Sequence, residues 1–210
     1  MKDGLERLDP KNLAAVADVA RLHIELLPGS PISRLGPEFT RQFYYRKLVE
    51  DGLVCCSVYY CDGAPVGFIA YTKHANTFLM EGLRRHWLYL SAVMLGAVIR
   101  QPRRLAGILW TVGYMRKQRT APQRPVNAEL LSFGVLAGFR TSKYIRATGR
   151  RISLALYDHA CEYFRDQGIR QFRAVVEKSN REALLFYHAL ECEFDPGDAQ
   201  TVQVLCTLES

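Results

Sequence analysis

The sequence predicts a mixed α/β fold in which helices flank one central sheet. Two helical runs open the chain, a β-hairpin signal follows them, and from Glu129 onward β-rich and helical runs alternate. Strands and helices that alternate along a chain bury their apolar faces by layering helices on a sheet. Where neighbouring strands part and a helix starts beside them, such a sheet offers a V-shaped gap for a ligand.

The first helix is expected over Leu13 to Leu27, where Leu13, Val16, Val19, Ala20, His23, Leu26 and Leu27 recur near a 3.6-residue period. Pro28-Gly29-Ser30-Pro31 stops it. A second helix starts at Gly36-Pro37-Glu38 and runs to about Glu50, with Phe39, Phe43, Tyr44 and Leu48 as its stripe. Leu53 to Tyr60 and Val66 to Thr72 read as strands around the turn Cys61-Asp62-Gly63-Ala64. Glu129 to Leu136 is the next strand, and a Gly/Ser/Thr/Arg-rich loop follows it to Arg151. A helix over Ser153 to Gln167 ends at Gly168, a strand covers Phe172 to Val176, a helix Arg181 to Leu190, and a last strand Val202 to Leu208.

Composition bounds the function. The chain has 210 residues, 49% hydrophobic and 23% charged, enough for one domain with a sizeable insertion. Its six cysteines show no C-x-x-C pair and no metal-ligand spacing with histidine, so buried reduced thiols and no metal are expected. The N-terminus has no apolar h-region, which argues against a secretory signal and for a cytoplasmic protein. Between His74 and Asn127 nine Lys/Arg stand against one acid, Glu81, a net +8 in a chain of +7. The basic character belongs to that one segment, so it is no general nucleic-acid signature.

The last third carries the chemistry. Thr148-Gly149-Arg150-Arg151-Ile152-Ser153 leads into a helix, and unpaired N–H groups at a helix start attract phosphate. Asn180 opens the next helix, and Tyr187, seven residues on, shares its face. A phosphate site followed by groups for an attached arm suggests a nucleotide-linked carrier and a transferase.

Four stretches, in order, resemble the GNAT family of acyl-CoA-dependent N-acetyltransferases. Leu26 to Ser30 with Arg34-Leu35-Gly36 is similar to the loop between its first helices, and Cys61 to Ala70 to its second hairpin. Ala128 to Val135 resembles the strand that pairs with pantetheine. Ser179-Asn180-Arg181-Glu182-Ala183, with Phe186-Tyr187, Leu190 and Phe194, resembles its S-N-x-x-A…L-Y…L-x-F stretch, the most specific of the four. The family's pyrophosphate loop, Q/R-x-x-G-x-G/A, falls on Thr148 to Ser153, where Arg151 and Ser153 replace small residues. A second register from Arg146, with Gly149 as first glycine, makes the helix three residues too long.

The resemblance implies acetyl-CoA as co-substrate and direct attack of a primary amine on the thioester, without a metal. Tyr187 is then the general acid, since a phenol stays protonated at neutral pH. Glu129 is a candidate general base, directly or through water. Phe133, Gly134 and Val135 would pair with pantetheine, Asn180 would hold its arm, and Thr148, Gly149, Arg150, Arg151, Ile152 and Ser153 would cradle pyrophosphate. Each has a plainer alternative: a packed aromatic for Tyr187, a helix cap for Asn180, a solvated rim residue for Glu129, a solvated turn for the arginines.

The resemblance divides the chain into 1–73, an insertion 74–127, and 128–210. Trp87 to Ile99 and Leu105 to Met115 are uncharged runs of thirteen and eleven residues with cationic flanks, short of the roughly twenty a membrane span needs. The insertion reads either as a helical hairpin that caps the acceptor cleft or forms a homodimer, or as a peripheral anchor in which 84–119 meet the anionic inner membrane face. Nucleic acid fits less well. The acceptor reading is a small-molecule or lipid-linked amine, an amino sugar preferred. Two alternatives stay open: a non-catalytic CoA-binding module with a degenerate loop, and a transferase using a carrier-bound or longer acyl chain.

Overall fold

A computed structural model describes residues 3–89 and 126–208. Of the predicted insertion, only 74–89 and 126–127 fall among them; most of both uncharged runs lies outside the described residues. The chain begins with β1 (Gly4–Arg7), α1 (Leu13–Leu26) and the short α2 (Pro31–Arg34). Next comes α3, wound as a π-helix over Phe39–Lys47 with a last α turn, Leu48–Glu50. β2 (Cys55–Cys61), β3 (Ala64–Thr72) and α4 (Phe78–Arg85) follow. The second half comprises β4 (Glu129–Val135), a 3-10 turn (Ala137–Phe139), α5 (Ser142–Thr148), α6 (Ile152–Asp166), β5 (Gln171–Glu177), α7 (Arg181–Ala189), β6 (Glu193–Pro196) and β7 (Thr201–Thr207).

Seven strands form one sheet in the order β1-β2-β3-β4-β5-β7-β6, with every neighbouring pair antiparallel except β4–β5. Side chains alternate across a sheet, so each strand feeds two cores. Phe172, Ala174, Val176 and Leu130 meet Leu156, Ala160 and Phe164 of α6 and Tyr187 of α7 on one face. Val58, Phe68 and Ala70 meet Val16, Val19 and Leu22 of α1 and Phe43, Tyr44 and Tyr45 of α3 on the other. Each Val, Leu or Phe side chain buried this fully contributes roughly 1.5–3 kcal/mol.

Four expectations are corrected. β1 and β6 are strands that the sequence did not announce, because four-residue edge strands are too short to show a period. The stretch before Arg151 is not all loop: Thr141 caps α5 by accepting from the Tyr144 amide, and Gly149 ends it at φ 70°. The second helix is π-wound, Leu48 N–H bonding Phe43 O five residues back. Finally, Cys192 and Cys206 are joined in a disulfide, while Cys55, Cys56, Cys61 and Cys161 are free and buried. The rung Glu193↔Leu205 sets residues 192 and 206 opposite each other, a facing invisible while β6 went unread.

Candidate active site

β4 and β5 share only two rungs, Glu129↔Arg173 and Leu130↔Ala174. Beyond them the strands separate, and the rest of β5 stays bonded to β7 alone. The cause lies in β4. Ala70 faces Ser132 while Tyr71 faces Leu130, so Leu131 is an extra residue, a bulge that bends the strand away. Leu136 N–H donates to Val66 O at 2.8 Å. Antiparallel alternation then turns the N–H and C=O of Phe133 and Val135 away from β3 and into the split. That is an unpaired strand edge open to an extended amide-bearing arm. Gly134 faces the other way: a Cβ there would lie 3.0 Å from Leu26 Cδ1, so α1 sits directly on β4.

On the α6 face the split is walled by aromatics. Phe133 packs on Phe186 (5.5 Å between centroids), and Phe186 on Tyr157 (5.7 Å). α6 begins at Ile152 with Arg151 as N-cap and no side-chain cap. Its first-turn amides, including those of Ile152, Ser153 and Leu154, point out of the helix without intrahelical partners, with the positive end of the dipole behind them. Thr148 Oγ1 donates to Tyr144 O at 2.9 Å and accepts from the Arg150 amide at 3.2 Å, tightening the turn before that helix. Arg150 is bidentate on Asp3, at 2.9 and 2.8 Å, which holds the Asp3 carboxyl below its usual pKa. Gly149 serves as the α5 cap and Arg151 stays exposed.

Asn180 Oδ1 accepts from the Ala183 amide at 3.1 Å and so caps α7, leaving the side-chain amide group for another partner. Two turns along, Tyr187 is buried against Tyr157 and Phe186. Burial, and secondarily Cys161, raises its pKa, so the phenol stays protonated. Glu129 lies on the opposite face, at the paired end of β4. It accepts from Arg173 Nε at 2.8 Å, with only 17% of its side chain exposed. Burial raises its pKa while Arg173 pulls against the rise. The predicted residues therefore do not form one cluster. Tyr187 and the aromatic side of the split, Phe133 and Phe186, share the α6–α7 face, and the Glu129 side chain of β4 lies on the α1–α3 face.

Sequence reasoning missed the partners of Glu129. Arg173 was a lone charge inside an apolar strand run, as Glu129 was, and two such residues in neighbouring strands signal a buried pair. Tyr44 was read as plain stripe, yet burial raises the pKa of its phenol, with smaller effects from Ser132, Cys56 and Glu129 nearby. Arg140, after β4, pairs with Glu182 in the first turn of α7 and so links the two sides of the split at its open end. An open depression lined by Lys73, Asn127, Arg170, Gln171 and Thr207 lies at the opposite ends of β4 and β5 and holds none of the predicted residues. Among the described residues no group of three His, Cys, Asp or Glu could hold a metal, and no helix is long and apolar enough to cross a membrane.

No protein-family model and no curated protein matches this sequence. Solved structures do. The PaiA N-acetyltransferase of Thermoplasma acidophilum in complex with coenzyme A superposes with a TM-score of 0.54 at 14% identity, covering 99% of each chain. A chain of the NatC complex bound to Gag peptide and CoA gives 0.57 at 14%, covering 100% of each. Aminoglycoside 6'-acetyltransferase type Ii gives 0.55 at 11%, covering 98% of this chain and 97% of its own. With its split between β4 and β5, the chain has the fold of the GNAT acetyltransferases.

Proposed function

We propose that the chain is an acyl-CoA-dependent N-acetyltransferase that moves an acetyl group from acetyl-CoA to a primary amine. The observation that carries this reading is the split itself. Phe133 and Val135 turn their peptide groups into it, and the uncapped start of α6 stands beyond it. The first can hydrogen-bond the amides of pantetheine as a missing strand would; the second can hold pyrophosphate. Asn180, at the start of α7, offers its side-chain amide to the same arm.

The two faces suit a direct transfer. The amine nitrogen attacks the thioester carbon, the C–N bond forms, and a tetrahedral oxyanion results that strand N–H groups can stabilise. The C–S bond then breaks, and the departing thiolate takes its proton from Tyr187 on the α6–α7 face. Glu129 takes a proton from the amine on the other face, directly or through a water. Structures of this fold take acceptors as different as a peptide and an aminoglycoside, so the acceptor rests on other features. Trp87, Leu88 and Tyr89 are exposed beside the exposed Arg84 and Arg85. Apolar aromatics flanked by cations favour an amphiphilic or lipid-linked amine, an amino sugar among them, met at an anionic membrane surface.

Titration calorimetry with coenzyme A, followed by an amine-library screen with acetyl-CoA and free-thiol detection, tests the reading. Binding with release of thiol by at least one amine class is expected; absence of binding sinks it. A second reading, a CoA-binding module without turnover, is favoured by the occupation of Arg150 by Asp3 and by the bulky Arg151 in the phosphate loop. It predicts binding without thiol release for any amine.

A further inference from the structure

Arg173 is 6% exposed, on β5, in the rung beside the one after which the strands part. Its amide donates to Ala128 O at 2.9 Å, which fixes its backbone against β4. Two of the bonds of its guanidinium lie among the described residues: Nε donates to Glu129 Oε2 at 2.8 Å, and Nη2 to Asn76 Oδ1 at 3.2 Å. Asn76 is in turn fastened to Asn127, its amide donating to Asn127 Oδ1 at 3.3 Å, while the Ala75 amide donates to Asn127 O at 2.9 Å. The chain leaving β3 and the chain entering β4 are thus clipped together beside this ion pair.

A buried ion pair is a poor way to stabilise a fold, because desolvation of the two charges offsets most of their attraction. Its presence one rung from the closed end of the split calls for another role. We propose that Arg173 is a positioning residue for acyl transfer: it holds the Glu129 carboxylate in place beside the closed end of the split and in its base form, and Asn76 and Asn127 fasten that pair to the chain leaving β3 and the chain entering β4. This rests on the assignment of Glu129 as base. Without the guanidinium, the buried carboxyl would be neutral over more of the pH range and could not accept the amine proton. Through Oε2 the pair fixes the rotamer, and Oε1 remains for the proton or a water. Among the described residues, the titratable or charged groups that face Glu129 are Arg173 from β5 and the Tyr44 phenol from α3; its partner across the rung on β3 is the uncharged Thr72.

The test is a carboxyl-carbon NMR titration of Glu129 in the free, full-length protein, wild type against Arg173→Gln. The Glu129 midpoint is expected to rise by about one to three pH units in the variant. Arg173→Lys, which returns the charge, is expected to bring it most of the way back. An unmoved midpoint in Arg173→Gln overturns the proposal. If that variant does not fold, wild type decides: a midpoint below about pH 6 sustains the proposal, one near neutrality overturns it. With an amine that turns over, the acidic limb of kcat/KM should move with the midpoint, whereas a merely structural loss lowers the rate at every pH. Glu129→Gln separates the two levels: undiminished turnover removes the base assignment itself. An inactive Glu129→Gln beside an unmoved Arg173→Gln midpoint removes only the role of Arg173.

Discussion

The two faces of the sheet are built on different principles. The α6–α7 face is apolar and aromatic: Phe164 stacks on Phe172 at 5.0 Å, and Tyr157 touches Phe172, Phe186 and Tyr187. What it offers a ligand is mostly backbone, a strand edge and a helix start. The α1–α3 face buries polar groups and wires them together. His23, fully buried at the end of α1, meets the Tyr45 hydroxyl through Nδ1 at 2.6 Å and Ser30 Oγ through Nε2 at 2.9 Å. Ser30 Oγ donates to Ser33 Oγ, and Ser33 Oγ donates to Leu27 O. Since the Ser30 hydrogen is spent on Ser33, His23 must donate from Nε2 and accept from Tyr45, so one tautomer satisfies the whole chain. The π-winding of α3 makes this possible by turning the adjacent Tyr44 and Tyr45 inward, one toward Ser132 of β4 and the other toward His23. Under the proposed function, carrier binding would draw on a surface that any peptide can offer, whereas acceptor binding and proton removal would need particular side chains held still.

The comparison breaks first on stability. Phe164 is fully buried between Phe172, Tyr71 and Tyr163. Phe164→Ala should cost about 3–5 kcal/mol in urea unfolding, since an aromatic cluster has nothing to refill the space. A loss under about 1 kcal/mol would show that the apolar face is loosely packed. In catalysis, Tyr187→Phe should lower kcat by roughly 10²–10⁴-fold at a stability change near 1 kcal/mol or less, with coenzyme A affinity unchanged. Unchanged turnover would return Tyr187 to a packing role.

The polar face should answer to pH where the apolar one does not. Burial depresses the His23 pKa from 6.5 to about 4. The unfolded chain takes up the proton first as pH falls, so the stability that neutral His23 contributes is complete above about pH 6.5 and is lost progressively down to about pH 4. The pKa difference corresponds to an upper figure of about 3 kcal/mol. His23→Gln, which keeps one donor and one acceptor, should flatten the unfolding free energy across that window. A wild-type profile already flat there would mean that the histidine is solvated in solution.

The same contrast governs what the sequence made legible. Helix periods, the hairpin turn and the strand at Glu129 are short-range patterns, and α1, β2, β3, β4, α6, β5, α7 and β7 stand within a residue or two of where those patterns put them. Phe133 to Val135, Thr148 to Ser153, Asn180 and Tyr187, the residues proposed to serve the carrier, could be proposed from sequence because a helix start and a strand edge are local features. The polar α1–α3 face was mostly hidden, because its meaning lies in pairs distant in sequence. Glu129 was visible alone, but not its bond to Arg173, forty-four residues away. His23 counted as one member of an apolar stripe until Tyr45 and Ser30 were seen beside it. Nor does a period of 3.6 residues announce a π-helix, whose extra residue per turn only tertiary packing selects.

Asn180 gives the smallest expected effect and the sharpest separation, because one side chain does structural work through its oxygen and is assigned carrier work through its nitrogen. Its Oδ1 caps α7. Asn180→Ala removes both groups and should cost about 1 kcal/mol of stability together with some coenzyme A affinity, so it cannot tell the two apart. Asn180→Ser keeps an N-cap oxygen and loses the amide donors, so the helix should hold while the pantetheine contact goes. The expected result is an unfolding free energy within about 0.5 kcal/mol of wild type and a coenzyme A Kd weakened by about five- to ten-fold, as for one or two neutral hydrogen bonds. Were Ser to match wild type in both measurements, Asn180 would be a cap and nothing more. The arm of the carrier would then be held by β4 alone, and the backbone edge at Phe133 and Val135 would have to supply all of its polar recognition.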